Sequence, residues 1–215
     1  VGTDKGLVSY NKNTEKFVKN EISDLIGKQT IWSLSKWKDN VIIGLNNRII
    51  TYSNTTRNII LDINENEFKE IKKIIKLKES LFIRNFDGDV FEFKNQNFTK
   101  ILSATNDIVA MEDSLISATN DGIYLINDGV IILSKLKVKA LSSSANFYSQ
   151  HTLGLSENHL YELTLIDKKL ETKKIGTIDL KKERLNNVIL SQNKKHIYIS
   201  NYVDGYFDIS QNKNY

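Results

Sequence analysis

The chain has no cysteine, no proline and a single methionine, Met111, among its 215 residues. Without cysteine there are no disulfides, no thiolate metal sites and no cysteine nucleophile. Without proline, no ladder hydrogen bond is lost in the interior of a strand. Arginine is nearly absent as well: of 30 basic residues only Arg48, Arg57, Arg84 and Arg184 are arginine. Base-edge readout and bidentate phosphate clamps favour arginine. The lysines are interleaved with 26 acids, so the net charge of +4 reads as a solvated lysine-rich surface, and no nucleic-acid partner is expected. The surplus of Lys, Asn and Ile looks like nucleotide-composition bias. No stretch approaches the roughly 18–20 apolar residues that cross a bilayer, and the first residues lack a signal-peptide pattern. Membrane attachment is therefore expected only through other parts of a longer chain. The start at Val1, inside an apparent strand, fits an excerpt of that kind.

What is present is ordinary for a globular protein, with 40% hydrophobic and 26% charged residues. A chain of this length can bury roughly 70% of its unfolded surface. The informative feature is a repeat. Six times an apolar strand runs into a tight polar turn followed by a second apolar strand: Gly2–Gly6, Gly44–Arg48, Arg84–Gly88, Ser117–Gly122, Gly154–His159 and Ser200–Gly205. The closing positions 6, 48, 88, 122, 159 and 205 are 42, 40, 34, 37 and 46 residues apart. A period near 40 with several strands per unit is the signature of β-propeller blades. The units run over about 1–28, 29–68, 69–104, 105–136, 137–184 and 185–215.

Each unit reads as strands in order. Innermost strands are expected at Thr30–Trp37, Ile71–Leu77, Asp107–Met111, Val138–Ser144 and Asn187–Ser191. Second strands follow at Val41–Leu45, Leu81–Asn85, Leu115–Thr119, His151–Leu155 and His196–Asn201. Third strands are Leu7–Tyr10, Ile49–Tyr52, Val90–Phe93, Ile123–Ile126, Leu160–Leu165 and Tyr206–Ile209. The outer set is Lys16–Glu21, Arg57–Asp62, Asn97–Leu102, Val130–Leu133 and Leu170–Ile175. Ile, Val, Tyr, Phe and Thr dominate these runs, and many are continuously apolar, as strands covered on both faces should be. Asp87-Gly88, Asp121-Gly122, Asp204-Gly205, Asn46-Asn47 and Asp128-Gly129 supply turn chemistry. No long capped helix is expected, although Leu61–Lys78 has some helical periodicity. The first unit lacks an inner strand and the last is expected to lack an outer one. The fold class is therefore all-β, a propeller with about five to six four-stranded blades, expected as an arc of a larger seven- or eight-bladed ring.

Asn106-Asp107-Ile108-Val109-Ala110-Met111 with Leu115–Gly122, and Gly2-Thr3-Asp4-Lys5-Gly6-Leu7, resemble the two-component regulator propeller repeat. Asn186-Asn187-Val188-Ile189 and Gln29-Thr30-Ile31-Trp32 occupy matching opening positions. The family's strand tryptophan is replaced by Ile42, Phe82, Leu115, Thr152 and Tyr198; the small residue after it is kept as Gly2, Gly44, Ser117, Gly154 and Ser200 but is Arg84 in the third unit. Surface propellers of Bacteroidetes tied to secretion share these features. The resemblance implies the periplasmic sensor region of a signalling protein, with a kinase or DNA-binding output domain elsewhere in the chain. Several members of that family sense oligosaccharides.

Chemistry-bearing residues are sparse. His151, His159 and His196 have no second histidine or acid at metal-ligand spacing, so no metal and no cofactor is expected. Asp87-Gly88-Asp89 lacks the remaining ligands of a calcium loop. Asn54-Thr55-Thr56 and Asn97-Phe98-Thr99 match the glycosylation acceptor pattern, as chance allows in so asparagine-rich a chain. Signatures of sialidase, WD, kelch, quinoprotein and α/β-hydrolase active sites are absent, and no catalytic residue is assigned. The expected ligand-binding residues are those entering inner strands: Gln29, Thr30, Trp32, Asn106, Asp107, Asn186 and Asn187. Amides, a carboxylate and an indole suit carbohydrate, whose hydroxyls need donors and acceptors and whose rings stack on aromatics. The competing account is that Asn and Asp cap backbone groups there and that Trp32 packs between blades. The functional expectation is non-catalytic recognition by a sensor module. The alternatives are a surface or secretion-associated scaffold and, third, a glycan lyase or hydrolase.

Overall fold

A computed structural model describes residues 1–127, 129–142, 150–178, 185–190, 196–201, 205–208 and 213–214. The chain forms two compact units, Val1–Ser103 and Ala104–Tyr215.

The first unit holds β1 (Gly2–Thr3), β2 (Gly6–Asn11), β3 (Lys16–Lys19), the short helix α1 (Ile22–Ile26), β4 (Ser33–Trp37), β5 (Asn40–Gly44), β6 (Arg48–Ser53), β7 (Asn58–Asn64), β8 (Ile71–Leu77), β9 (Ser80–Asn85), β10 (Val90–Lys94) and β11 (Asn97–Leu102). They make one three-stranded and two four-stranded antiparallel sheets, ordered as in the chain. The second unit holds β12 (Thr105–Met111), β13 (Ser114–Thr119), β14 (Ile123–Ile126), β15 (Val130–Ser134), β16 (Ala140–Leu141), β17 (His151–Leu155), β18 (His159–Ile166), β19 (Lys169–Thr177), β20 (Leu185–Leu190), β21 (Ile197–Asn201), β22 (Gly205–Asp208) and β23 (Lys213–Asn214). These form three four-stranded sheets of the same meander topology.

Burial follows position in the sheet. The middle strand β6 is buried from Ile49 to Ser53 and β13 is buried throughout, because each is covered on both faces. The outer strand β7 alternates exposed and half-buried, as a strand with one solvated face must. At Gly44 and Gly2 the small residue of the second strand is explained by close approach of the segment that follows. A Cβ on Gly44 would lie 2.7 Å from Ile71 Cγ2 of the next sheet and 2.3 Å from Ser33 Oγ. Gly2 meets Ile31 in the same way, at 2.6 Å. The glycine lets one sheet's inner strand cross the end of its neighbour.

The turns close with the expected chemistry. Thr119 Oγ1 accepts from the amides of Asp121 (3.1 Å) and Gly122 (3.2 Å), while Gly122 holds φ at +155°. Its missing Cβ would sit 2.2 Å from the carbonyl oxygen of Ser134. In the first unit an aromatic core forms around Phe68, which is 1% exposed, with ring centroids 5.6 Å from Phe91 and 4.7 Å from Phe98.

The structure departs from the sequence expectations in a few places. Leu61–Lys78 is the end of β7, a connector and β8, so its helical periodicity is overridden by sheet pairing. The outer strand expected over Lys16–Glu21 stops at Lys19, and α1 follows. The final sheet does have an outer strand, because Lys213–Asn214 pairs with Phe207 and Asp208. The inner strand beginning at Thr30 starts only at Ser33, and that over Val138–Ser144 is Ala140–Leu141 within the described residues.

The helix earns its place by burying Ile22 and Ile26 against Leu7, Ile31 and Ile43. Ser23 Oγ accepts from the Leu7 amide at 2.8 Å and donates to the Leu7 carbonyl at 2.7 Å, both buried. Ser23→Ala leaves the buried Leu7 amide without its partner, while the Leu7 carbonyl keeps the Asn20 amide at 3.0 Å, and is expected to cost about 1–3 kcal/mol in a denaturant titration. A loss below about 0.5 kcal/mol would show that the Leu7 amide does not depend on the hydroxyl.

Candidate functional site

In the unit Val1–Ser103, two inner-strand approaches and two hairpin turns meet. The approach to β4 carries Gln29 (exposed), Thr30 (half-buried) and Trp32 (half-buried). The backbone fixes Trp32, whose amide donates to Gly44 O at 2.9 Å. Its indole Nε1 donates to Asn46 Oδ1 at 2.5 Å, in the turn between β5 and β6. Ile71, at the head of β8, donates its amide to Leu45 O at 3.1 Å and so sets Lys72 beside Trp32. Lys72 Nζ stands 3.6 Å from the Trp32 ring centroid and 4.9 Å from that of Phe86, which caps the β9–β10 turn and is 61% exposed.

Charge around this cluster is balanced. Lys72 pairs with Glu70 at 3.4 Å and Lys69 pairs with Asp87. The hydrogen bond to Asp87, with its negative charge, holds the Lys69 ammonium above the usual lysine range. The patch therefore holds two aromatic rings that share the Lys72 ammonium, one amide and two ion pairs, with little net charge. Such a surface suits an uncharged ring bearing hydroxyls better than an anion: the rings cover its C–H face, and the polar groups meet its edge.

The second unit uses the corresponding positions differently. Asn106 Nδ2 donates to Asn120 Oδ1 and to Val138 O, each at 3.0 Å. Asp107 Oδ1 accepts from the Ile108 amide and Oδ2 from the Leu141 amide, both at 2.8 Å. These two side chains bind β12 to the segment entering β16. Asn186 and Asn187 lie on β20, with Asn187 opposite Ser200, and their side chains fall outside the described residues. The structure thus gathers Gln29, Thr30 and Trp32 in one unit and Asn106 and Asp107 in the other.

Asn46, Lys72 and Phe86 escaped the sequence reading, yet the repeat contains them. Lys72 follows Trp32 by one period (72 − 32 = 40), and Phe86 follows Asn46 by the same interval (86 − 46 = 40). The within-sheet spacing 32/46 recurs as 72/86 and 106/120, each 14 residues. Equivalent positions of adjacent repeats are spatial neighbours, and that rule would have found the cluster.

Elsewhere the ionisable groups serve structure. Arg48 grips Asp62 through Nε (2.7 Å) and Nη2 (2.6 Å), which lowers the acid's pKa and raises that of the guanidinium. Burial tends to raise the Asp89 carboxyl, but hydrogen bonds from Lys100 and Ser103 hold it below the usual range. His151 Nδ1 lies 3.0 Å from Thr164 Oγ1 and 3.8 Å from Glu162 Oε1, while His159 and His196 stand beside Tyr161 and Tyr198. Among the described residues no three His, Cys, Asp or Glu side chains converge as metal ligands. Among the same residues no helix is long and apolar enough to cross a membrane.

No protein-family model matches the chain, and no curated protein matches it in sequence. Solved structures do. The extracellular domain of a one-component system from B. thetaiotaomicron superposes with a TM-score of 0.64 at 17% identity, over 95% of this chain and 30% of that one. The sheets are propeller blades. PorZ, a surface component of the type-IX secretion system of Porphyromonas gingivalis, gives 0.55 at 14% identity, over 87% of this chain and 25% of its own. A chain of the mitotic checkpoint complex gives 0.56 at 12% identity, over 97% and 83%. The chain thus spans about a third or less of the two bacterial proteins. Identities this low share the β-propeller fold and leave the ligand to be argued from the chain itself.

Proposed function

We propose that this β-propeller is a non-catalytic recognition module of an extracytoplasmic sensor, and that its first unit binds a neutral saccharide. The observation that carries the reading is the Trp32–Lys72–Phe86 stack with Asn46 at its edge. Phe86, exposed at a turn tip, stands 4.9 Å from the Lys72 ammonium that also covers the Trp32 ring. Beside an indole and an ammonium it forms a stacking surface, and each buried ring contact contributes about 0.5–1.5 kcal/mol. The likeness to an extracellular domain of a one-component system supports a sensor role and placement outside the cytoplasm. In that role the output domain belongs to the same longer protein, and the membrane is reached through its other segments.

Enzymatic turnover is not part of this proposal. Among the described residues the two carboxylates with displaced pKa values, Asp62 and Asp89, are both held in the charged form, by Arg48 and by Lys100 with Ser103. A general acid needs the opposite shift. The second reading, a surface scaffold, is favoured by the likeness to PorZ.

Isothermal titration against a panel of neutral and uronate-bearing oligosaccharides separates these readings. A neutral sugar should bind, Trp32→Ala should weaken it at least about tenfold, and Phe86→Ala should do so about three- to tenfold. Binding that is indifferent to both substitutions would sink the site. If no sugar binds while another protein is retained on the surface, the scaffold reading takes over.

A further inference from the structure

At one end of β4 and β8 the rings of Trp32 and Phe86 share a single cation. Lys72 Nζ lies 3.6 Å from the first centroid and 4.9 Å from the second, so the ammonium already stands where a ligand would meet the rings. Left to itself, such a cation draws a carboxylate. Its ion-pair partner is Glu70, two residues earlier in the chain, with Oε2 3.4 Å away. The Lys72 and Glu70 side chains are 28% and 38% exposed, so both charges reach the surface on which a ligand would lie. The other end of the same strands shows that packing lysine on an indole does not require the acid. There Lys76 Nζ stands 5.0 Å from the Trp37 centroid, and Lys38 Nζ stands 5.3 Å from the same ring. Among the described residues neither of these lysines has an ion-pair partner. The carboxylate beside Trp32 is therefore an addition to the stack.

We propose, resting on the saccharide reading of this surface, that Glu70 sets its charge selectivity: by occupying the Lys72 ammonium it turns away uronate sugars and admits neutral ones. A uronate carboxylate approaching Lys72 meets the Glu70 carboxylate beside it. To pair with the ammonium it must displace an acid tethered two residues away, which competes at high effective concentration. A sugar hydroxyl avoids that contest. It can donate to Glu70 and accept from Lys72 while the ion pair stays whole.

Titration calorimetry with two probes tests the assignment: the neutral oligosaccharide of the panel that binds the parent protein most tightly, and the same oligosaccharide oxidised at C6 to its uronate. Glu70→Gln should raise the ratio of uronate to neutral affinity at least about fivefold, and added salt should erode that gain. The double variant Glu70→Gln/Lys72→Gln should lose the gain, because no ammonium remains for the carboxylate to meet. Asp87→Asn removes an equal charge from the patch without freeing Lys72, and should raise the ratio less. The proposal is overturned by a ratio within about twofold of the parent in Glu70→Gln, by a gain that persists in the double variant, or by an equal gain in Asp87→Asn. Each of these results leaves neutral-sugar binding in place. Failure of every neutral oligosaccharide to bind the parent is a different outcome, and removes the saccharide reading and the selectivity together.

Discussion

Phe68→Ala is expected to cost about 3–5 kcal/mol and to lower the thermal midpoint by roughly 6–20 °C. Phe68 lies in the connector between β7 and β8, yet it is 1% exposed and meets Phe91 and Phe98 edge-on. Phe98 in turn stacks on Phe93 at 4.5 Å, so a single side chain holds the aromatic cluster of that sheet. Truncation removes the transfer free energy of the ring and leaves a void that rigid strand backbones cannot collapse around. The connector also presents Lys69 and Glu70 and leads into Lys72. On the proposed sugar-binding reading, loosening it should therefore weaken binding as well as stability. A midpoint within about 3 °C of the parent would mean that the cluster refills the space.

Gly122→Val should destabilise by about 3 kcal/mol or more. At φ +155° the residue sits where L side chains are rare, and a Cβ would stand 2.2 Å from the Ser134 carbonyl oxygen. Backbone cannot swing away as the tip of a flexible side chain would. Relief requires β14 and β15 to part, which breaks the pairing of Ile123 with Ser134. Gly129→Val is the matched control, because nothing lies within 4 Å of a Cβ there. Equal losses in the two variants would refute the steric argument.

The strand plan was readable because four strands per period left little freedom. Ile71–Leu77, Asn97–Leu102, Ile123–Ile126 and His151–Leu155 have the bounds that the alternation of apolar runs and turns implies. The helix at Ile22–Ile26 was not readable, since five residues are too few to show a 3.6-residue period. The short outer strand Lys213–Asn214 is two polar residues, with no apolar run to announce it. For the site, the residue types Asn and Asp pointed to the inner-strand approaches, but type alone does not separate a ligand contact from a backbone tie. At Asn106 and Asp107 the neighbouring segment supplies the partners, Val138 and Leu141, some 30 residues away in sequence. At Trp32 it supplies a lysine and an exposed ring. That difference is a property of the tertiary neighbour, and only the repeat period carries any trace of it.

In the proposed role the Trp32–Phe86 surface binds a sugar without altering it. The most direct test is to titrate the protein with the sugar selected from the oligosaccharide panel while following indole fluorescence, then to analyse the recovered sugar. A saturable change that vanishes in Trp32→Ala, with the sugar recovered intact, is the predicted result. A cleaved or eliminated sugar, or an unaltered titration in Trp32→Ala, would contradict it.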